Sequence, residues 1–596
     1  MAEMNGNHWI DPKSGFSPTT KTYHSLRPPV PFPPKHRPLS LAEYVISLLR
    51  SAPDSPLETT NVLIDASSDY RLSYSQFLRQ VQSLAASLQR ITGLSKGDTA
   101  FILCPPSLKI PVIYFSLLSL GVTISPTNPL GSDSEVSHQI HLCKPAIAFA
   151  SSKTAHKLPS LRLGTVLVDS LEFDSMMTEN GAGYGKRVEV SQSDPAAILY
   201  SSGTTGRVKG VLLTHRNLIT LIAGFHHNRL EKEEDGPRPV SLFTLPLFHV
   251  FGFFMLVRAV SLAETLVLME RFDFENMLKA VEKYRITYMP VSPPLVVALA
   301  KSEFVGKYDL SSLQLLGSGG APLGKEVSER FSARFPNVQM VQGYGLTESG
   351  GGAAGMADLD EAKRHGSVGR LMHDMEAKIV DPKTGEALPP GQQGELWLRG
   401  PTIMKAFSKP LQCFLLNKKN DGVSAGYVGD DEATAATLDQ EGWLKTGDLC
   451  YFDSDGFLFI VDRLKELIKY KAYQVPPAEL EHLLQSNPEI ADAAVIPYVS
   501  LTTIFCLGVA NHICTGVSWV SECFSFVETF RYPDEEAGQI PMAFVVRKPG
   551  SSITEAQVAP YKKIRRVAFV NSIPKSPAGK ILRRELVNHA LSKPRL

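Results

Sequence analysis

Apolar runs alternate with amphipathic stretches from about residue 41 onward, and this pattern predicts an α/β fold. Helical periodicity covers residues 75–91, and short apolar runs typical of buried strands cover residues 100–104, 122–124, 146–150 and 166–168. Strands that alternate with helices are typical of parallel sheets with helices packed on their faces. We therefore expect parallel β-α layers in the larger part of the chain.

The pattern changes beyond about residue 376, where short apolar runs are separated by Gly, Asp and Pro turns. These runs, at residues 377–380, 394–399, 449–452 and 457–461, predict a small β subdomain. A charged segment, residues 462–466, then precedes a small α+β C-terminal region. The predicted domains are a proline-rich extended strap at 1–40, an N-terminal domain at 41–463 and a C-terminal domain at 464–596.

Bulk composition excludes several classes of function. A chain of 596 residues should form more than one domain, and its net charge of +1 gives no electrostatic case for nucleic acid or an anionic membrane as a partner. The seven cysteines show neither CxxC pairs nor Cys/His metal spacing, which argues against a zinc site or a disulfide framework. The first ten residues lack the features of a signal peptide, so a reducing compartment is expected.

Residues 200–210 combine glycines, hydroxyls and a lysine directly after an apolar run, residues 196–200. Gly203 and Gly206 permit a tight turn whose N–H groups can approach an anion. Hydroxyls at Ser201, Ser202, Thr204 and Thr205, together with the Lys209 cation, suit a nucleoside triphosphate. The spacing is not that of a Walker loop. A polar surface loop is the alternative interpretation.

Further motifs each contain one residue suited to catalysis or binding. Taken alone, each of these residues could instead have a purely structural role. His249 lies in an aromatic run and could be a bonded core residue, and Glu348 in the run 342–348 could cap a helix. Asp448 follows a tight turn and could form an Asx turn, and Lys580 could be solvated. Together these motifs are better explained by one catalytic site.

With the run 462–471, these motifs resemble the adenylate-forming superfamily, and most closely plant 4-coumarate–CoA ligases and their 4-coumarate–CoA ligase-like relatives, over roughly residues 40–590. The resemblance implies two steps on a small-molecule carboxylic acid. The acid attacks the α-phosphate of Mg-ATP to give an acyl-adenylate and pyrophosphate, and the thiol of coenzyme A then displaces AMP to form a thioester. Positioning and electrostatic stabilisation should supply much of the rate.

The resemblance also assigns residues in the N-terminal adenylation domain and beyond. Contacts to the triphosphate, adenine and ribose of ATP are expected from Ser201, Ser202, Gly203, Thr204, Thr205, Lys209, Gly320, Gln342, Gly343, Tyr344, Asp448 and Arg463. Thr347 is expected at the α-phosphate and Glu348 at Mg²⁺, a hard cation suited to a carboxylate. Lys580 is expected to stabilise the adenylation transition state.

For the second step, the resemblance implies a mobile C-terminal domain that rotates on a hinge near Lys465. The rotation would bring catalytic Lys469 and Gln474, with Lys471, to the thioester site. Ala472 stands where the family usually has Gly, which either narrows the pantetheine path or is a tolerated variation. Arg271 is expected to serve CoA. The acid-binding residues are expected to be His249, Phe251, Ser318, Gly319, Gly320 and Gly350, and the resemblance implies that His249 and Thr347 are also catalytic.

Phe251 stands where coumarate ligases commonly carry a Tyr, so a buried phenol would lose a hydrogen bond here, at a cost of about 1–3 kcal/mol. The glycines at 350–352 predict a roomier, less polar pocket. We therefore expect a medium- or long-chain fatty acid or a cyclopentanone-bearing jasmonate precursor, with a phenylpropanoid acid as the alternative. The terminal tripeptide 594–596 resembles a peroxisomal address, which predicts an import receptor as partner and the peroxisome, or otherwise the cytoplasm, as location.

The chain departs from the family pattern at three places. Residues 406–425 and 499–532 intervene in motifs that should be continuous, and a shortened segment near 557–558 should delete most of a helix. Residues 499–521 carry no Asp, Glu, Lys or Arg, yet their polar residues and their position before Lys580 argue against a membrane span. We hypothesise that these departures are translated introns and a skipped segment, which transcript sequencing would decide.

Two alternatives to a complete ligase therefore stay open. One is a nucleotide-binding, catalytically impaired isoform with a disrupted C-terminal domain. The other is an adenylate-former with a second step that does not use CoA.

Overall fold

The computed structural model describes residues 9–51, 57–178, 186–201, 208–231, 238–405, 426–470, 473–498, 539–558, 564–577 and 579–592. Both inserts, residues 406–425 and 499–532, lie outside this part of the chain. The contacts divide the chain into two compact units: Met1–Ala321 with Arg330–Thr446 and Tyr451–Phe459, and Pro322–Glu329 with Gly447–Cys450 and Ile460–Leu596. The domain limits given above stay predictions.

A nine-stranded sheet is the largest in the first unit. Its order from edge to edge is Arg370–Leu371, Ala354–Gly355, Gln339–Tyr344, Leu315–Ser318, Tyr288–Val291, Val240–Phe243, Thr265–Leu268, Asn61–Asp65 and Arg71–Ser73. The strands from Gln339–Tyr344 to Asn61–Asp65 are parallel, and antiparallel strands flank them at both edges. Parallel strands of this kind end at one edge, where ligands commonly bind.

A six-stranded sheet forms a second layer. Its order is Lys209–Thr214, Pro195–Ser201, Thr123–Pro126, Thr99–Leu103, Ile147–Ala150 and Thr165–Leu167. All pairs are parallel except the first, which is an antiparallel hairpin. The apolar runs predicted as strands at 100–104, 122–124, 146–150 and 166–168 are thus confirmed within one or two residues.

Another six-stranded sheet has the order Phe16–Ser17, Thr22–His24, Glu376–Val380, Gly394–Arg399, Leu444–Phe452 and Leu458–Arg463. It contains the predicted β subdomain. It also contains two strands within the proline-rich strap, where the sequence predicted no regular structure. Tyr23 is only 1% exposed and stacks on Phe452, so burial of this aromatic ring holds the strap to the sheet.

Helices cover the sheets of the first unit. They are Leu41–Ser51, Tyr74–Ser87, Lys109–Ser119, Asp133–Cys143, Leu171–Thr178, His215–Glu231, Val250–Ser261, Phe274–Tyr284, Pro293–Lys301, Leu359–Ala362 and Asp431–Thr437. Helix Lys325–Arg334 begins in residues of the second unit and ends in residues of the first. Ser73 and Gln76 form a capping box that starts the helix predicted at 75–91. That helix continues as a π-helical turn to Thr92 and ends at Gly93, whose φ of 70° suits glycine.

The second unit contains a three-stranded sheet in the order Ile490–Tyr498, Ile540–Arg547 and Arg566–Phe569, and a hairpin of Ile468–Tyr470 with Tyr473–Val475. Helices Pro477–Ser486, Glu555–Val558 and Arg583–Ser592 accompany them. Buried Leu480, Leu484, Ile490 and Val545 belong to one core cluster. The short helix Glu555–Val558 lies where the sequence predicted a shortened helix, but residues 559–563 are outside the described part, so the shortening stays a prediction.

The predicted α/β class, with parallel layers, a small β subdomain and a small α+β C-terminal region, is confirmed by these sheets. Within the described residues, no helix combines the length and apolarity required to cross a bilayer. The apolar segment 499–521 is not among those residues.

Candidate active site

The hydroxyl-rich segment connects the two strands of a hairpin. Pro195–Ser201 pairs antiparallel with Lys209–Thr214, and the register places Ser201 opposite Lys209. Predicted phosphate ligands Ser202, Gly203, Thr204 and Thr205 lie between them, outside the described residues. The Ser201 hydroxyl is buried and has no hydrogen-bond partner in the described structure, which leaves it available to a ligand.

Tyr427 contacts both Lys209 and Glu348. The Lys209 ammonium lies 4.3 Å from the centroid of the Tyr427 ring, within the range of a cation–π interaction. The Tyr427 hydroxyl donates a hydrogen bond of 2.8 Å to Oε1 of Glu348. Burial, with the Glu348 charge, raises the pKa of Tyr427 well above its usual value, so the phenol stays a donor. The predicted phosphate and magnesium residues therefore share one neighbour.

Glu348 is held by a short 3₁₀ turn, Thr347–Ser349, after strand Gln339–Tyr344. The Ser349 hydroxyl accepts from the Leu346 N–H at 2.9 Å, and the Glu348 carbonyl accepts from the Met404 N–H at 2.8 Å. Thr347 is buried, and Glu348 is half-buried. These main-chain hydrogen bonds therefore fix the position of the Glu348 backbone, from which the carboxylate side chain extends.

The predicted adenine residues lie at the carboxyl ends of neighbouring parallel strands. Ser318 pairs with Gln342 in register, and the buried Ser318 hydroxyl has no hydrogen-bond partner in the described structure. Gly343 and Tyr344 follow on the second strand. Gly319 and Gly320 follow the first, and a Cβ at Gly319 would lie 3.3 Å from the Phe251 ring. The fold thus brings the predicted adenine and acid-binding residues together.

The structure shows what surrounds the glycines at 351 and 352, and the size of the pocket stays a prediction. A Cβ at Gly351 would lie 2.3 Å from Cδ1 of Phe254. A Cβ at Gly352 would lie 2.9 Å from Leu221 and from the sulfur of Met372. Large apolar neighbours already occupy the space, and glycine is needed for their close approach. The atoms nearest to these two glycines therefore belong to apolar side chains.

His249 caps the helix Val250–Ser261. Its Nδ1 accepts from the Phe251 N–H at 3.3 Å, and burial lowers its pKa to about 4. A neutral ring whose Nδ1 accepts must carry its proton on Nε2. Nδ1 of His249 is therefore used in capping the helix, as expected for a bonded core residue. Nε2–H remains as a hydrogen-bond donor. Arg271 is exposed between strand Thr265–Leu268 and helix Phe274–Tyr284.

In the second unit, the two predicted ribose residues are neighbours. Nε of Arg463 lies 3.5 Å from Oδ1 of buried Asp448. The Leu464 N–H donates to the Gly447 carbonyl at 2.9 Å, and Gly447 has a φ of 72° that favours glycine. This turn holds a carboxylate and a guanidinium side by side.

Lys580 is presented by a tight turn. The Ser576 N–H donates to the Lys580 carbonyl at 2.8 Å, the Lys580 N–H donates to the Ser576 hydroxyl at 3.2 Å, and Gly579 has a φ of 82°. The Lys580 ammonium lies 3.9 Å from Oε1 of Glu466. Burial, followed by the positive charge of Arg463, lowers the pKa of Lys580 to about 8. Lys580 thus titrates near physiological pH.

Arg583 connects the Lys580 turn to the core of this unit, and the sequence analysis missed it. Its guanidinium contacts Glu466 at 2.5 Å and Glu481 at 2.7 and 2.8 Å, and its Nε donates to the Val495 carbonyl at 3.2 Å. Burial raises the pKa of Glu481, and Arg583 opposes that shift. Its partner Glu481 lies 102 residues away, so no local spacing pointed to it.

The predicted thioester residues lie on the hairpin Ile468–Tyr470 with Tyr473–Val475, where Lys469 pairs with Gln474 through the main chain. Lys471 and Ala472 lie outside the described residues. Lys465 is exposed just before this hairpin. Tyr427, which follows the insert 406–425 by two residues, was not among the predicted site residues.

Comparison with known proteins gives matches over nearly the whole chain. Residues 50–407 match the family described as AMP-binding enzyme, and residues 515–580 match the AMP-binding enzyme C-terminal domain. The chain is 54% identical to 4-coumarate–CoA ligase-like 9 of Arabidopsis thaliana, over 99% of each protein. It is 40% identical to Peroxisomal OPC-8:0-CoA ligase 1 of Arabidopsis thaliana, over 98% of this chain and 100% of that protein.

Solved structures show the same fold. ATP-bound MatB from Rhodopseudomonas palustris superposes with a TM-score of 0.74 at 22% identity, covering 93% of this chain and 99% of that one. The o-succinylbenzoate CoA synthetase of Bacillus subtilis in complex with its acyl-adenylate gives 0.68 at 22% identity, covering 91% and 97%. The chain belongs to the AMP-binding enzyme family of the adenylate-forming superfamily and is an acid–thiol ligase.

Proposed function

We propose that this protein uses ATP, Mg²⁺ and CoA to convert an apolar medium- or long-chain carboxylic acid into its acyl-CoA thioester. The observation that carries the proposal is the shared contact of Lys209 and Glu348 with Tyr427 beside the hydroxyl-rich hairpin. A cation for phosphate and a carboxylate for a metal then lie within reach of one triphosphate.

In the first step, the carboxylate of the acid attacks the α-phosphorus of ATP, and the bond to the β-phosphate breaks to release pyrophosphate. Lys209 and the hydroxyls of the hairpin hold the β- and γ-phosphates as charge moves onto the leaving group. Thr347 directs its hydroxyl to the α-phosphate. Gln342 borders the adenine with Gly320, Gly343 and Tyr344, and Ser318, which pairs with Gln342 on the neighbouring strand, borders the acid.

Glu348 is the residue proposed to hold Mg²⁺. Among the described residues, no cluster of three or more His, Cys, Asp or Glu side chains could form an all-protein metal cage. One carboxylate fits the usual nucleotide site, in which Mg²⁺ is bound by one or two carboxylates together with substrate phosphates. The bound metal would neutralise phosphate charge.

The second unit supplies charged groups for the nucleotide and the transition state. Asp448 accepts hydrogen bonds from the ribose hydroxyls while Arg463 keeps the carboxylate in place. Protonated Lys580 stabilises negative charge during adenylation, with Glu466 as its neighbour. In the second step the CoA thiol forms the C–S bond and AMP leaves, with Lys469 and Gln474 as the proposed residues.

The aromatic wall around Phe251 supports an apolar acid. Phe251 and Phe254 have ring centroids 5.7 Å apart, and Phe225 stacks on Phe254 at 6.0 Å. These rings offer no hydroxyl to a phenolic substrate. The 40% identity to a peroxisomal OPC-8:0-CoA ligase supports an acid of that kind, and with the terminal tripeptide it supports a peroxisomal location.

Purified protein is expected to form acyl-CoA faster from fatty acids of medium or long chain than from 4-coumarate. The variant Phe251→Tyr should raise kcat/KM for 4-coumarate by about tenfold, because one hydrogen bond to a buried phenol contributes about 0.5–1.5 kcal/mol. Thioester absorbance over a panel of acids measures both values.

Phe304→Tyr is the matched control, since it adds the same hydroxyl to an exposed ring. Faster turnover of 4-coumarate than of every fatty acid by the unmodified protein would refute the proposed substrate class.

A further inference from the structure

Tyr427 contacts both charged groups of the proposed phosphate and metal site. It is 5% exposed, its ring faces the Lys209 ammonium, and its hydroxyl occupies Oε1 of Glu348. Nothing in the proposed mechanism requires this phenol to react. Its position between a cation and a carboxylate therefore indicates a role other than chemical reaction.

The main chain locks Tyr427 to the hairpin. The Leu212 N–H donates to the Gly426 carbonyl at 2.9 Å, and the Val428 N–H donates to the Gly210 carbonyl at 2.8 Å. These bonds flank Tyr427, which forms a bridge with Val211. The Tyr427 ring thus keeps a fixed register with the strand that begins at Lys209.

Helix Asp431–Thr437 holds the same segment from the other side. The Tyr427 N–H donates to the Thr434 hydroxyl at 3.0 Å. A Cβ at Gly426 would lie 2.4 Å from Cγ2 of Thr434, and Gly426 has a φ of 89°, so only glycine fits this approach. The ring is therefore preorganised before any ligand binds.

We propose that Tyr427 is a positioning residue that orients Glu348 for Mg²⁺ and holds Lys209 beside it for the triphosphate. The inference rests on the proposed function. By occupying Oε1, the hydroxyl leaves Oε2 of Glu348 as the free metal-binding oxygen. The ring face attracts the Lys209 ammonium without neutralising it, whereas a direct ion pair with Glu348 would weaken both groups toward the ligand.

The test compares ATP binding by the full chain with and without Mg²⁺, measured by calorimetry. Tyr427→Phe keeps the ring and removes the hydroxyl, so the Mg²⁺ concentration for half-maximal enhancement of ATP binding should rise about tenfold. Affinity for ATP in EDTA should stay within about twofold. Tyr427→Leu removes both contacts and should weaken ATP binding in either condition.

Tyr451→Phe is the matched control, because it removes a phenol whose ring stacks on Phe459 and for which no contact with Lys209 or Glu348 is seen among the described residues. Glu348→Gln provides a double-mutant cycle, in which Tyr427→Phe should cause no additional change in the Mg²⁺ dependence. Thermal unfolding of each variant verifies that it is folded.

Unmodified protein that binds no Mg-ATP would refute the proposed function itself. If the unmodified protein binds Mg-ATP and Tyr427→Phe behaves like Tyr451→Phe, the positioning role is overturned. Equal weakening of ATP binding by Tyr427→Phe with and without Mg²⁺, or full additivity with Glu348→Gln, would also overturn it, since a purely structural residue would give that result.

Discussion

Replacing Lys580 with alanine is expected to slow acyl-adenylate formation by about 10²–10³-fold, the loss typical of removing one group that stabilises transition-state charge. ATP binding should stay within about threefold, because Lys209 and the hairpin hydroxyls remain. The measurement is single-turnover release of pyrophosphate, with ATP affinity determined separately. Lys575→Ala is the matched control, since Lys575 lies near the start of the same turn and pairs with Asp492 at 2.5 Å.

The pH dependence gives a second readout for the same residue. Burial and the charge of Arg463 lower the pKa of Lys580 to about 8, so the charged form is lost as pH rises through 8. Adenylation by the unmodified protein should therefore fall above pH 8. Lys580→Arg should remove that fall, because a guanidinium stays protonated. A Lys580→Ala rate within threefold of the unmodified rate would contradict the assigned role.

Arg583→Met is expected to destabilise the second unit by about 3–5 kcal/mol, the cost of breaking a buried ion pair by removing one partner. The variant leaves the Glu481 carboxylate buried without its guanidinium and frees Glu466 beside Lys580. Hydrogen exchange in strands Ile490–Tyr498 and Ile540–Arg547 measures the change in the free energy of opening of this unit.

Two further variants test the origin of that loss. Arg584→Met changes the exposed neighbour and should have little effect. Glu481→Leu combined with Arg583→Met should recover much of the stability, because the double change removes the unpaired buried charge. Equal exchange in Arg583→Met and Arg584→Met would show that the buried ion pairs contribute nothing.

The local sequence pattern was sufficient to predict the helices and strands that depend mainly on their own residues. The apolar run at 196–200 belongs to a strand whose residues 196–199 are buried and which has a paired strand on each side, and Ser73 with Gln76 marks the start of the helix at Tyr74. The strands Phe16–Ser17 and Thr22–His24 were missed because the prolines around them favour extended chain. Their pairing depends on Glu376–Val380, which is far away in sequence.

The sequence motifs predicted the charged residues of the candidate site. They did not predict the residues from other parts of the chain that contact those charged groups. Lys209, Glu348 and Lys580 stand out as charged residues in unusual runs. Tyr427 and Arg583 act through partners more than 70 residues away, at Glu348 and Glu481, and no local pattern encodes such a contact. The glycines at 351 and 352 show the same limit, since a sequence reveals a missing side chain but not the Phe254 or Met372 that fills its space.

Pyrophosphate release from ATP, measured with and without an apolar acid and with and without CoA, tests carboxylate activation most directly. Acid-dependent pyrophosphate release is expected in the absence of CoA, and the bound adenylate should be converted to AMP and acyl-CoA when CoA is added. Acid-dependent pyrophosphate without any thioester would identify an isoform impaired in the second step or one that uses another acceptor. No acid-dependent pyrophosphate with any member of the panel would contradict the central claim.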